Sequence, residues 1–486
     1  MLTKSVMEDQ QPSEWVISMK EKLKKAQEYA SDQPWEKWSI YRVPRRLRDA
    51  QDNKVYVPQT VSIGPFHHAD EQVRSMDRQK WIALYRTLER TGHDLNMYLN
   101  AIKEVENYAR ACYQQDLVHL SSNEFIEMMV LDGCFILELF HCSPKVEKCH
   151  DLEAVIFNRT MIDDILMDMV MMENQIPLFI LDRLLEMIYM NVGNPNGQHR
   201  EQAAALALNL FNPEWITGTP ISTTELEELK SSFRNKKCLH ILDVFRQSLL
   251  HQEPQQNLMF PLKSRWQICD KLLPGRFKKW YQSNIHSKRK QTHRQVIHKV
   301  TELRESGIKF KKRSTNHFWD IKFNKGVIEI PSIWIQDGTM SILLNLAAFE
   351  HCHLNITDSV IASYAIFMEC LIKSPEDVSY LHRHGIIQHL LGHDGEVVNM
   401  FKSVSKEMLT DAHSNRYAKL AEEVNAYCYQ RRNKWRASLI HNYFNNPWAI
   451  ISLVAAFILL MLTATQTIYA VYSFYSPTSG KNGKQL

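Results

Sequence analysis

Histidines gather at His382, His384, His389 and His393. On an unbroken helix His389 and His393 would stand four residues apart on one face, a spacing that zinc can use. Gly385 interrupts that helix, and Asp394 is the one further ligand close by. Tetrahedral sites need three or four aimed donors, so exposed or capping imidazoles are expected. Glu350-His351-Cys352-His353 contains the Glu-x-x-His spacing of helical di-metal sites. Such sites need a second pair and two more carboxylates from facing helices, and no second pair occurs. His141-Cys142 and Cys149-His150 bring four soft donors together, but their spacing fits no standard knuckle and Ser143-Pro144 marks a plain turn.

Carboxylates form another grouping. Asp164 and Asp168 lie one helical turn apart and Glu173 follows. Paired acids can exchange protons, yet acids on the outer face of a helix are ordinarily solvated. Glu173-Asn174-Gln175 stands beside Pro177, which must break or restart a helix because it lacks a donor. Three polar side chains at such a break are expected to satisfy the freed backbone groups, a structural role. The chain contains no Gly-x-Ser-x-Gly elbow, no phosphate-binding Gly-x-x-x-x-Gly-Lys and no Gly-x-Gly-x-x-Gly. No catalytic, cofactor-binding or metal-ligating residue is therefore assigned, and no cofactor is expected.

Between Lys271 and Thr301 there are nine Lys or Arg and no acid, with Phe277, Trp280 and Tyr281 interleaved. That mixture could stack bases or meet anionic lipid, and Lys288-Arg289-Lys290 resembles a nuclear-import cluster. A solvated insertion loop is the plainer reading. Of the sharper ones, lipid contact is preferred. No nucleic-acid partner is expected, because the net charge of the 486-residue chain is only +4.

The elements that carry these groups read as mostly helical. Apolar residues make up 44% and charged residues 23%, which excludes disordered and fibrous classes. Gly (15) and Pro (17) are too scarce for a turn-dense β-sandwich or propeller. Trp15–Ala30 has the pattern of a short amphipathic helix. Residues 40–68 hold three prolines and several β-branched residues, and read as extended strand or loop. Helical periodicity dominates from Met76 onward. Ser121 and Glu124 are spaced as a capping box, and Ile162, Ile165, Leu166 and Met169 make an apolar stripe. A hairpin is expected over about 318–330 across the three-residue turn Asn324-Lys325-Gly326. Residues 339–373, 375–392 and 395–438 read as helix. Nine cysteines, with no Cys-x-x-Cys, read as small buried hydrophobes rather than a disulfide framework.

The segment Ala449–Val471 contains no charge, and none occurs between Arg436 and Lys481. A helix of that length spans roughly 35 Å, enough to cross a ~30 Å hydrocarbon core. Trp448 at one end and Tyr469, Tyr472 and Tyr475 at the other suit the headgroup zone. Arg431, Arg432, Lys434 and Arg436 precede the span, so the bulk of the chain is expected in the cytosol. The first residues hold no apolar run of a secretory signal, and the arrangement reads as tail-anchored. The sequons at Asn158 and Asn355 would matter only in a lumenal domain.

Several motifs in order resemble a plant family called domain of unknown function 247. They are Ile40-Tyr41-Arg42-Val43-Pro44, the run from Tyr56 to His68, Met129-Val130-Leu131-Asp132-Gly133-Cys134-Phe135 and Glu173-Asn174-Gln175-Ile176-Pro177. Gly307-Ile308-Lys309-Phe310, Ile328-Glu329-Ile330-Pro331 and Asn345–Glu350 follow. His351 and His298–Thr301 depart locally from the family pattern. The resemblance implies a mostly helical, membrane-anchored plant protein with no known enzymatic site; some relatives are linked to self-incompatibility recognition in grasses, others to stress or defence.

The expected architecture is mainly α: a polar segment and amphipathic helix over 1–32, one large helical domain with a small β element over 33–444, a transmembrane helix over 447–475 and a polar tail over 476–486. The expected function is non-enzymatic: interaction or recognition at a plasma membrane or endomembrane, with an unknown protein partner and anionic lipid contact through the basic loop. The alternatives are an enzyme with an unrecognised membrane-proximal site, or a self-recognition or defence determinant at the cell surface.

Overall fold

The computed structural model describes residues 15, 18–24, 38–49, 53–114, 117, 119–141, 159–190, 202–234, 236–250, 297–315, 317–353, 359–408, 416–430 and 447–475. Most of them are helical, as the composition implies. The helices that position the polar groups are α1 (Asp77–Thr91), α2 (Ser122–His141), α3 (Arg159–Met169), α4 (Leu178–Tyr189), α5 (Ile241–Leu249), α6 (Thr339–His353), α7 (Val360–Leu371) and α8 (Asp394–Met408). A final helix, α9, runs from Pro447 to Tyr475.

The centre of the core is α2, which packs against α1 and α4. Its residues from Phe125 to Phe140 are buried with one exception, so this helix is apolar nearly all round. The expected capping box opens it: Ser121 N–H donates to Glu124 Oε2 at 2.8 Å and Glu124 N–H to Ser121 Oγ at 3.3 Å. Gly133 sits where α2 meets α4; a Cβ there would fall 2.2 Å from Leu184 Cδ1, so the two helices approach too closely for a side chain.

The β element is larger than the expected hairpin. Strands β1 (Lys309–Arg313), β2 (Lys322–Asn324) and β3 (Val327–Pro331) form a sheet in the order β1-β3-β2. The β2–β3 pair is antiparallel, with Phe323 opposite Ile328, and its turn is the two residues Lys325-Gly326 rather than three. Both have positive φ, 46° and 82°, the signature of a type I′ turn that matches strand twist. β1 pairs parallel with β3. Two further short strands, β4 (Ile333–Ile335) and β5 (Ile387–His389), pair parallel with each other. The helix expected over 375–392 therefore ends at Arg383, and the chain turns through Gly385 into β5.

Of the two readings of residues 40–68, loop rather than sheet strand holds for those described. One bridge joins Ile40 to Tyr113, Arg45–Asp49 is a short helix, Asn53–Val55 a 3-10 turn, and 59–64 is extended but pairs with no strand. At the N-terminus, 18–24 is helical and Trp15, Met19 and Leu23 are exposed. The basic loop lies outside the described residues up to 296, as do Cys142, Cys149, His150, Asn158 and Asn355.

Candidate functional site: a polar clasp around Glu173

The buried polar groups converge on the chain around the break between α3 and α4. Glu173 lies there, its side chain fully enclosed. Its Oε1 accepts Val43 N–H at 2.6 Å and the guanidinium of Arg48, and its Oε2 accepts Arg42 Nη1 at 2.9 Å. His67 Nε2 stands 3.3 Å from Oε2 without an aligned hydrogen bond. Arg42 also lies over the Phe66 ring, 4.0 Å from its centroid. Burial alone would push the Glu173 carboxyl up; His67, the Val43 N–H, Arg48 and Arg42 outweigh it and hold the group at about 2. A carboxylate that accepts from two guanidiniums and a backbone N–H stays ionised and holds chain segments together. It has little capacity left to exchange a proton.

Residues 59–64 form an extended segment in the core, and side chains take the place of a neighbouring strand. Asp168 Oδ2 accepts the N–H groups of Thr60 at 2.7 Å and Val61 at 2.9 Å, and its carboxylate also accepts Gln59 N–H. Asn174 Oδ1 accepts Ile63 N–H at 2.6 Å, while its Nδ2 donates to Val61 O and Asp168 O at 3.0 Å each. Asp132 Oδ2 accepts Gly64 N–H at 2.7 Å, and Lys80 Nζ donates to Ser62 O at 2.6 Å. Lys80 and Asp132 are themselves a buried ion pair at 2.6 Å. A buried backbone donor left without a partner costs ~1–3 kcal/mol, which is why this sheetless strand needs such a dense set of polar residues. Gly64 closes it at φ +76°, and a Cβ there would meet Gln175 O at 2.4 Å. Gln175 Nε2 donates to Met169 O and Met171 O, and its Oε1 accepts Leu242 N–H, joining α5 to the break.

Glu173-Asn174-Gln175 thus do bind backbone, as expected from Pro177. Asn174 and Gln175 take up the carbonyls of Asp168, Met169 and Met171 at the break, while Glu173 and Asn174 also reach Val43, Val61 and Ile63, over a hundred residues upstream. Asp168 corrects the expectation of a solvated face. It is buried, and burial raises its carboxyl to about 6 against the pull of the three N–H groups.

The other candidates disperse. Glu350 is buried and accepts Arg246 Nε at 3.0 Å and Ile361 N–H at 3.0 Å, so it caps the start of α7. His353, three residues on, lies with Nδ1 2.8 Å from Tyr41 Oη instead. Burial pushes the Cys352 thiol up to about 11 and the Cys134 thiol to about 12, leaving neither as a thiolate. His389 Nε2 meets Asp394 Oδ1 at 2.9 Å and His393 Nδ1 meets Glu396 Oε1 at 2.7 Å, while His384 Nδ1 lies 2.9 Å from Tyr380 O. His382 packs edge-on to His389. His141 Nδ1 lies 2.7 Å from Leu137 O. Among the described residues, no three His, Cys, Asp or Glu side chains stand together as ion ligands.

Sequence reasoning missed Arg42, Arg48, His67, Lys80, Asp132 and His240 as members of the network. His240 is fully buried: Nδ1 accepts Asp243 N–H at 3.2 Å, which leaves Nε2 to donate to Ser39 O at 3.0 Å. Burial holds this imidazole down at about 4.

Arg42, Val43, His67, Asp132 and Glu173–Gln175 of the clasp fall within the motifs by which the chain resembles its family, whereas Arg48, Lys80 and Asp168 lie outside them. Residues 40–462 match a family described as a plant protein of unknown function. The chain belongs to that family, domain of unknown function 247. A UPF0481 protein of Arabidopsis thaliana is 26% identical over 449 residues, covering 91% of this chain and 88% of the relative. A second, putative UPF0481 protein of the same plant is 25% identical over 504 residues, covering 90% and 91%. No solved structure matches the chain. In this family member, then, the Ile40–Pro44, Tyr56–His68 and Glu173–Pro177 motifs are the parts of one polar junction.

Proposed function

We propose that this protein is a non-enzymatic interaction or recognition protein held at a membrane by α9, with its helical body on the cytosolic side. The observation that carries the reading is the exposure of that helix. Ile451–Tyr475 is long and apolar enough to cross a bilayer, and none of its most apolar stretch is buried against the protein. Fifteen large apolar side chains stand open along it, from Ile451 to Tyr475. At ~1.5–3 kcal/mol for each such side chain buried, leaving them in water forfeits tens of kcal/mol, more than the net stability of a typical domain. Thr463, Thr465 and Thr467 turn their hydroxyls back onto Leu459 O, Met461 O and Thr463 O, as a helix in hydrocarbon requires. The basic residues Arg431, Arg432, Lys434 and Arg436 before it support the cytosolic orientation, at a plasma membrane or endomembrane.

The buried, ionised Glu173 carboxylate, committed to two guanidiniums and a backbone N–H, supports a presenting body rather than a reacting one. Confinement to a surface raises the effective concentration of such a body against membrane-bound partners. Deleting Pro447–Leu486 should move the protein from the carbonate-resistant membrane fraction to the supernatant; a deletion variant that still pellets after carbonate washing would refute α9 as the anchor.

A further inference from the structure

We propose that the three-stranded sheet is a lipid-facing surface that docks the folded body on an anionic leaflet; this rests on the membrane anchoring argued above. The stretch from Lys309 to Pro331 carries six basic residues (Lys309, Lys311, Lys312, Arg313, Lys322 and Lys325) against two acids, Asp320 and Glu329. Its excess of four positive charges lies on one small sheet and its turns.

The geometry separates spent charges from available ones. Arg313 Nη2 pairs with Asp320 at 2.8 Å and its Nη1 with Glu329 at 3.0 Å, and Lys322 Nζ lies 3.8 Å from Asp320. Both acids are thereby occupied. Lys309, Lys311, Lys312 and Lys325 are exposed and have no acidic partner among the described residues. Alternation along β1 puts Lys309 and Lys311 on one face, and Lys311 shares a cross-strand row with Glu329 and Lys322. The opposite face, which also carries Lys312, is seated on the core through Phe310, Ile328 and Ile330, so Lys309 and Lys311 stand on a fixed platform with Lys325 in the adjoining turn.

Lysines on edge strands also deter sheet-to-sheet pairing. Charge of either sign serves that purpose, whereas this sheet shows almost one sign only. A leaflet rich in anionic headgroups is the partner that the observations favour, because the anchor keeps one within reach. Sixteen residues, 431–446, join the last described body residue to α9. At ~3.4 Å each, they let the body stray no more than about 55 Å from the bilayer. Within a Debye length of ~8–10 Å of a charged leaflet, each lysine is worth about a fivefold gain in occupancy.

The test uses the full chain in nanodiscs of phosphatidylcholine, with or without phosphatidylserine. The acetylation rate of individual lysines is read by mass spectrometry. Lys309, Lys311 and Lys325 should react several-fold more slowly in the phosphatidylserine discs, and added salt should abolish the difference. Lys103 and Lys237, exposed elsewhere, serve as references. Protein that co-elutes with both discs but reacts equally in each overturns the sheet proposal and leaves the anchor standing. Protein that elutes free of the discs overturns both. Protection by a short RNA or DNA duplex, with none from phosphatidylserine, would assign the face to nucleic acid and refute the lipid reading.

Discussion

Replacing Glu173 with Gln tests whether the clasp is held by charge. The change keeps the shape and one acceptor for Val43 N–H, but sets an amide NH2 against the Arg42 and Arg48 guanidiniums. The carboxyl lies at about 2 in the folded chain against 4.5 in its ordinary state. At 1.36 kcal/mol per pKa unit, that difference corresponds to ~3 kcal/mol of stability at neutral pH. The folded value is the lower one, so this contribution is complete above 4.5 and disappears as pH falls through about 2. Urea unfolding of the full chain in detergent micelles, followed by tryptophan fluorescence, should show Glu173→Gln less stable by about 3 kcal/mol at neutral pH. The gap between the two proteins should close as the medium is acidified across that window. A loss under ~1 kcal/mol, or two acid profiles that run parallel, would refute the argument that the arginines and N–H groups overcome the burial of this carboxylate.

His240 should govern a separate pH interval: its folded value of about 4 lies below the ordinary 6.5, so its contribution is complete above 6.5 and is lost as pH falls through about 4. His240→Gln should flatten the stability profile over that interval, and an unchanged slope would count against a buried neutral imidazole. Where α2 meets α4, Gly133→Ala should destabilise by ~1–3 kcal/mol through overpacking and Leu184→Ala by ~2–5 kcal/mol through a cavity. The double variant should be more stable than their sum by at least ~1 kcal/mol, as read by a double-mutant cycle; simple additivity would mean the two side chains do not meet.

The helical class was legible because its signals are local: scarce Gly and Pro, periodic apolar residues, the Ser121–Glu124 box. The hairpin was legible too, but β1 and the β4–β5 pair were not, since parallel pairing joins strands across long connections with no turn signature between them. The role of Glu173-Asn174-Gln175 could be read from the neighbouring Pro177, while the distant partners of Asp168 and Glu173, 107 to 131 residues away, could not. One signal was there to be used. Asp132 lies in the middle of the apolar run Met129–Phe135, and a charge so placed needs a buried partner, here Lys80. Glu350 at the end of Asn345–Glu350 carried the same message. Arg42 and Arg48 gave no such sign, because arginines near a surface are ordinary.

The clasp also sets an order of events at the ribosome. The stretch around Tyr41 reaches its final partners only when Glu173, then His240, and at last His353, 312 residues further along, have been made. At about 5–20 residues per second, that wait is about 15–60 s. Over that interval the segment gains its partners in steps, Tyr113 and Asp132 first, then Asp168 to Asn174, and only at the end the Tyr41–His353 contact.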